Sequence, residues 1–153
     1  MTKSKKKTNN IPYVLIVDDS DEDFEIARRS LKKAGIDWEI HRCIDGPETL
    51  ALLEGRENRK DTPKTLPGLI LLDLNLPGMS GHKILKHIKE NKTIRRTPVI
   101  MCSSSNDRRD IDDCYLAGAN CYLRKPATPQ DYLKMAKALK NFWCDWVTYS
   151  EDG

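Results

Sequence analysis

What the sequence does not contain narrows the field first. No run approaching 18 consecutive apolar residues occurs, which excludes a membrane-spanning helix. The early lysines precede no apolar stretch and no small-residue cleavage site before Ile11, so a secretory signal is not expected. There is no C-x-x-C. The five cysteines (Cys43, Cys102, Cys114, Cys121 and Cys144) are odd in number, and none pairs at metal-ligand spacing with His41, His82 or His87. Free, mostly buried thiols in a reducing cytoplasm are the expectation. A large excess of one charge is also missing. Lys plus Arg total 26 and Asp plus Glu 23, a net charge of +3, yet Lys3, Lys5, Lys6 and Lys7 account for more than all of it. Without those four the remainder carries −1. Residues 1–10 therefore read as a disordered basic tail, and the near-neutral body argues against a DNA-binding face.

With 39% hydrophobic residues in 153, the chain has enough apolar content for the core of one domain. Short apolar runs alternate with helix-like stretches. Val14–Val17 is a buried-strand pattern that stops at Asp18-Asp19. From Ser20 to Ala34 the spacing turns helical through Phe24, Ala27, Leu31 and Ala34, with Ser20 as N-cap, Asp21, Glu22 and Asp23 favouring the first turn and Gly35 just past the end. A second strand is expected over Trp38–Ile44, then a helix opened by Asp45-Gly46-Pro47. A polar loop spans Gly55–Pro67. Leu69–Leu72, Val99–Cys102 and Cys121–Leu123 supply three further strands, each followed by a helical pattern: one around Ile84, Leu85 and Ile88, one over Asp110–Ala117, and one begun by Thr128 and Pro129. Five strand–helix alternations predict an α/β fold, a five-stranded parallel sheet wound with helices on both faces.

In such sheets ligands bind beyond the carboxyl ends of the strands. That edge collects Asp18-Asp19, Asp73, Ser103-Ser104 and Lys125. Three carboxylates converging there repel one another unless a cation neutralises them, and an all-oxygen donor set points to Mg²⁺, with Mn²⁺ as a substitute. A lysine and a hydroxyl beside the metal suit a phosphoryl group: the cations offset its charge and the hydroxyl donates to it.

These residues also carry a resemblance. Val17-Asp18-Asp19, Leu71-Leu72-Asp73-Leu74-Asn75-Leu76-Pro77-Gly78, Ser103-Ser104 and Leu123-Arg124-Lys125-Pro126 resemble the receiver domain of bacterial response regulators, over about Tyr13 to Val147. The long loop, Asn120-Cys121-Tyr122-Leu123 and the Phe142-Trp143 ending look like phytochrome-associated single-domain regulators. The resemblance implies a flavodoxin-like receiver over residues 11–149, with 150–153 as a C-terminal tail and no output domain. It implies a two-component phosphorelay module in which Asp73 takes a phosphoryl group from a sensor histidine kinase, of phytochrome type by the narrower resemblance, and passes the signal to a phosphotransfer or target protein. Asp19 matches a direct Mg²⁺ ligand, Asp18 a direct or water-mediated one, and the backbone carbonyl of Asn75 a third. Lys125 corresponds to the lysine that pairs with Asp73 and then with the phosphoryl group. Ser103 and Tyr122 match the switch pair, and a cis peptide before Pro126 is implied.

The rival reading is a Mg²⁺-dependent phosphohydrolase with an Asp nucleophile, whose Asp-x-Asp spacing is met by Asp19 and Asp21 but without a cap insertion. The last helix has too many apolar positions for one face. Met135, Leu139, Phe142 and Trp146 form one stripe, and Tyr132, Ala136, Leu139 and Trp143 another. One covers the sheet; Phe142 and Trp146 are expected to form a homodimer contact.

Overall fold

The computed structural model describes residues 12–57 and 60–150, so the lysine-rich segment 1–10 and residues 151–153 lie outside the described residues. β1 (Tyr13–Val17), β3 (Leu69–Leu72) and β4 (Val99–Ser103) are buried along their whole length. Strands this uniformly apolar need cover on both faces. They lie in the middle of an all-parallel sheet of order β2-β1-β3-β4-β5, with the more polar β2 (Glu39–Cys43) and β5 (Cys121–Arg124) at its edges. The expected doubly wound sheet is the one that forms.

Successive side chains alternate between the faces. Leu15, Val17, Ile70, Leu72, Val99 and Met101 form one core with Leu50 and Leu53 of α2 (Gly46–Leu53) and with Ile84, Leu85 and Ile88 of α3 (Gly81–Glu90). Val14, Ile16, Leu69, Leu71 and Ile100 form the other with Leu31 of α1 (Asp21–Lys33) and with Ala136 and Leu139 of α5 (Pro129–Leu139). Each fully buried Leu or Ile favours the fold by about 1.5–3 kcal/mol relative to exposure.

Helix starts follow their caps. Ser20, Asp45, Ser80 and Thr128 accept from the N–H of Asp23, Glu48, Lys83 and Asp131. α4 (Arg108–Leu116) begins two residues before the expected Asp110, because Asp107 accepts from the N–H groups of Arg109 and Asp110. After α5 the chain does not continue as a regular α-helix. It widens to a π-type helix over Lys140–Trp146. Tyr132, Ala136 and Leu139 are buried and Trp143 packs partly against the same core, so theirs is the stripe that covers the sheet. Phe142 and Trp146 stay 56% and 80% exposed.

One expectation is corrected. No peptide bond among the described residues is cis, so the bond before Pro126 keeps the trans form that X–Pro peptides intrinsically favour. All five cysteines are free thiols, with Cys43, Cys102 and Cys114 buried. Among the described residues no helix is long and apolar enough to cross a membrane.

Candidate functional site

The strand order reverses between β1 and β3, which opens a crevice at their carboxyl ends. Each chain segment entering it is anchored by one more ladder bond. Asp18 N–H donates to the Cys43 carbonyl at 3.1 Å, Asp73 N–H to Val17 at 3.0 Å, and Lys125 N–H to Ser103 at 2.8 Å. The side chains are thus delivered by backbone already committed to the sheet. Asp18 Oδ1 accepts from Ser20 N–H at 2.9 Å, turning the chain into α1. Asp73 Oδ1 accepts from Asn75 N–H at 3.3 Å. Gly81 closes the loop behind Asp73, its N–H donating to the Leu74 carbonyl at 2.8 Å. A Cβ built at Gly81 would overlap the Asp73 carbonyl oxygen and lie 2.8 Å from Leu74 Cα, so only glycine fits there.

Lys125 joins the acids. Its Nζ donates to Asp18 Oδ2 at 2.9 Å, Asp23 Oδ2 at 2.8 Å and Asp73 Oδ2 at 3.1 Å. Burial alone would lower the Lys125 pKa. The hydrogen bonds to Asp23 and Asp18, with the charges of Asp73 and Asp18, outweigh burial and hold the ammonium well above its ordinary value. Burial is also the main influence on Asp73. It raises the carboxyl above the usual range, helped by the Asp18 charge and opposed by Lys125 and by the Asn75 N–H.

Asp18, Asp19 and Asp73 each offer a carboxylate oxygen within 4.8 Å of the others, with Asp19 exposed to solvent. An all-oxygen donor set of three acids, two of them buried, fits a hard divalent cation. Behind Lys125 lies a cavity of about 20 Å³ whose lining, apart from the acids, is largely apolar and includes Ile16, Leu71, Cys102 and Met135. Burial pushes the Cys102 thiol up to about 12, which leaves it inert beside the acids. A larger cavity of about 230 Å³ lies elsewhere, at the β2 edge among His41, Arg42, Glu48 and Asp61. None of Asp18, Asp19, Asp73 or Lys125 lines it.

The structure thus brings together Asp18, Asp19, Asp73 and Lys125. Ser103 lies at the end of β4 and is fully buried. Its hydroxyl accepts from Ser105 N–H at 3.2 Å and is bonded to neither Asp73 nor Lys125. Tyr122 is half-buried, and its hydroxyl donates to the Ser105 carbonyl at 2.9 Å, so Ser105 stands between the two expected switch residues. Asn75 is exposed beside Asp73. Phe142 and Trp146 lie on the π-type segment and make no bond to the acids. Asp21, the second acid of the Asp-x-Asp alternative, pairs instead with Arg42 Nη1 at 2.7 Å.

Sequence reasoning missed Asp23, which it took as a first-turn acid favoured by the helix dipole. The available signal was its place one turn into α1, within reach of the crevice where Asp18 ends β1.

Comparison with known proteins agrees with this fold. A family model described as the response regulator receiver domain matches residues 14–137. Response regulator Rcp1 of Synechocystis sp. is 34% identical over 142 residues, covering 93% of this chain and 95% of the relative. The crystal structure of the Mn²⁺-bound form of Rcp1 superposes with a TM-score of 0.81, covering 91% of this chain and 99% of that one. The phosphorylated cyanobacterial phytochrome response regulator RcpA, 31% identical, gives 0.82 and covers 92% of this chain and 99% of that one.

Proposed function

We propose, from the premise that this chain belongs to the response regulator receiver-domain family and acts in two-component signalling, that Asp73 is its phosphoacceptor. The supporting observation is the Lys125 ammonium bound to both Asp73 and Asp18 at the sheet's switch point, with Asp19 completing an acidic trio. The family takes its phosphoryl group from a histidine kinase. In that step a carboxylate oxygen of Asp73 attacks phosphorus, the O–P bond forms as the P–N bond of the phosphohistidine breaks, and the imidazole leaves and takes a proton from solvent. Lys125 supplies a fixed positive charge to the transferring oxygens. Asp18, Asp19 and Asp73, with the backbone carbonyl of Asn75, would hold Mg²⁺, and Mn²⁺ in its place. When bound, that ion neutralises charge on the phosphoryl oxygens.

The reading extends to a switch. Phosphorylation replaces one negative charge on Asp73 by nearly two and adds acceptor oxygens. Ser103 Oγ then turns from Ser105 N–H toward them. Ser105 also carries the carbonyl that holds Tyr122, so movement of one reaches the other and shifts the packing of α4 against β5. The phosphoryl group has to favour the new packing by a few kcal/mol to populate it.

The partner is a histidine kinase, and the likeness to the phytochrome response regulator RcpA makes a phytochrome-type kinase the first candidate. The exposed Phe142 and Trp146 are assigned to a homodimer contact; equal sedimentation masses for the wild type and Phe142→Ala/Trp146→Ala, both monomeric, would remove that assignment. The main test is labelling by phosphoramidate with Mg²⁺. The wild type is labelled and Asp73→Ala is not; undiminished labelling of the variant sinks the assignment.

A further inference from the structure

A lysine ammonium has three N–H donors, and Lys125 directs them at Asp18, Asp23 and Asp73. In the reading above, Asp73 is the reacting group and Asp18 faces the cation. Both therefore change partners when the site is loaded and phosphorylated. Asp23 belongs to neither set. Its contact is the shortest of the three, at 2.8 Å. The acid sits in the first turn of α1, where its own N–H donates to Ser20 Oγ at 3.2 Å, and α1 packs against α5. Its carboxylate is thus carried on a fixed element facing Lys125. Apart from the three acids, the cavity behind the ammonium is lined mainly by apolar side chains such as Ile16, Ala27, Leu71 and Met135, with Tyr132 and Cys102 beside them.

We propose that Asp23 is a positioning residue for phosphoryl transfer, tethering Lys125 Nζ while Asp18 and Asp73 exchange partners, so that an N–H of Lys125 stays aimed at the incoming phosphoryl oxygens. This rests on Asp73 as phosphoacceptor. The tether matters because a charge already in place costs no reorganisation when the bond forms. Without Asp23 the ammonium is drawn between Asp18 and Asp73 and has to be re-aimed at each transfer.

The test joins kinetics to NMR on the full chain. With phosphoramidate and saturating Mg²⁺, Asp23→Ala slows labelling of Asp73 about tenfold. Asp23→Asn, which keeps an acceptor oxygen, slows it less. In a Lys125→Ala background, Asp23→Ala has no further effect. In the metal-free protein the ¹H–¹⁵N signal of the Lys125 ammonium broadens in Asp23→Ala, because one of its proton acceptors is gone. The proposal is overturned by an equal loss with and without Lys125, or by an unchanged ammonium signal. Faster labelling in both Asp23 variants also overturns it, since that is the mark of a through-space charge. Failure of wild-type labelling, or equal labelling of Asp73→Ala, instead removes the phosphoacceptor reading and this inference with it. Normal wild-type labelling with unaffected Asp23 variants removes the tether alone.

Discussion

Replacing Lys125 by methionine isolates the charge on which the site is balanced. Methionine keeps the apolar stem over Cys102 and Met135 and deletes only the ammonium. The Lys125 side chain is 13% exposed and those of Asp18 and Asp73 are 7% and 10%, so the variant leaves two buried carboxylates facing each other without a cation. Breaking a buried pair by removing one partner costs about 3–5 kcal/mol. Asp73, already pushed above the usual carboxylate range by burial, relieves part of this by taking a proton, which places the expected loss near 3 kcal/mol. The Asp23 side chain, 39% exposed, adds little because water screens it. For a chain of this size the loss lowers Tm by about 6–12 °C.

The assay is thermal unfolding followed by circular dichroism in EDTA, repeated with excess Mg²⁺. Added ion narrows the gap, because the uncompensated acids then bind it more tightly than the wild-type site does, and binding to the folded state alone stabilises by about 2.7 kcal/mol at a hundredfold excess over Kd. The pH dependence has a definite sign. A lysine whose folded pKa is raised contributes fully below its unfolded pKa of about 10.4 and loses the contribution only as pH climbs through the folded value. The lysine itself therefore adds no slope at neutral pH, and the gap shrinks on acidification as Asp73 is protonated. A Lys125→Met protein as stable as wild type in EDTA would refute the reasoning.

Gly81→Ala forces a Cβ into the Asp73 carbonyl, and its urea midpoint should fall by the equivalent of about 1–3 kcal/mol, with slower labelling of Asp73; an unchanged midpoint contradicts the packing. Tyr122→Phe removes the bond to the Ser105 carbonyl, costing about 1 kcal/mol by denaturant titration. Labelling persists in that variant, while the phosphorylation-dependent NMR shifts at Tyr115 and Leu116 disappear if the hydroxyl transmits the switch. In the native protein at pH 8, Cys102 and Cys114, pushed up to about 12 and about 11 chiefly by burial, resist DTNB until urea unfolds the chain. Rapid native reaction at Cys102 contradicts that burial.

The strands and the acids at their ends were legible because both are local signals. Leu69–Leu72 is an unbroken apolar run closed by Asp73, and a parallel sheet makes the end of such a run a place where ligands meet. Helix starts were legible wherever the cap was recognised. α4 was entered late because Asp107 is one of several polar residues in a row, and its apolar spacing is weak. Asp23 was invisible for a different reason. As a first-turn acid it already has a sufficient local explanation, and its partner Lys125 lies 102 residues further on. Ser103 was expected just past a strand ending at Cys102 and is instead the last residue of β4, and its hydroxyl bond to Ser105 depends on the turn of the following loop, which propensity does not specify. The widening after Leu139 was equally hidden, since the apolar spacing of α5 runs on through it unchanged.

The ion pairs of Lys125 have a consequence for the order in which the protein comes into being. Asp18 is 107 residues upstream of its cation, and Asp23 and Asp73 also precede it. A chain leaving the ribosome therefore presents its acids long before the lysine that balances them. Through most of synthesis Asp73 lacks the cation that balances it. Only when β5 docks beside β4 through pairs such as Ile100 with Cys121 does the ammonium arrive. The charge balance of the acidic cluster is thus acquired late, with the last strand of the sheet.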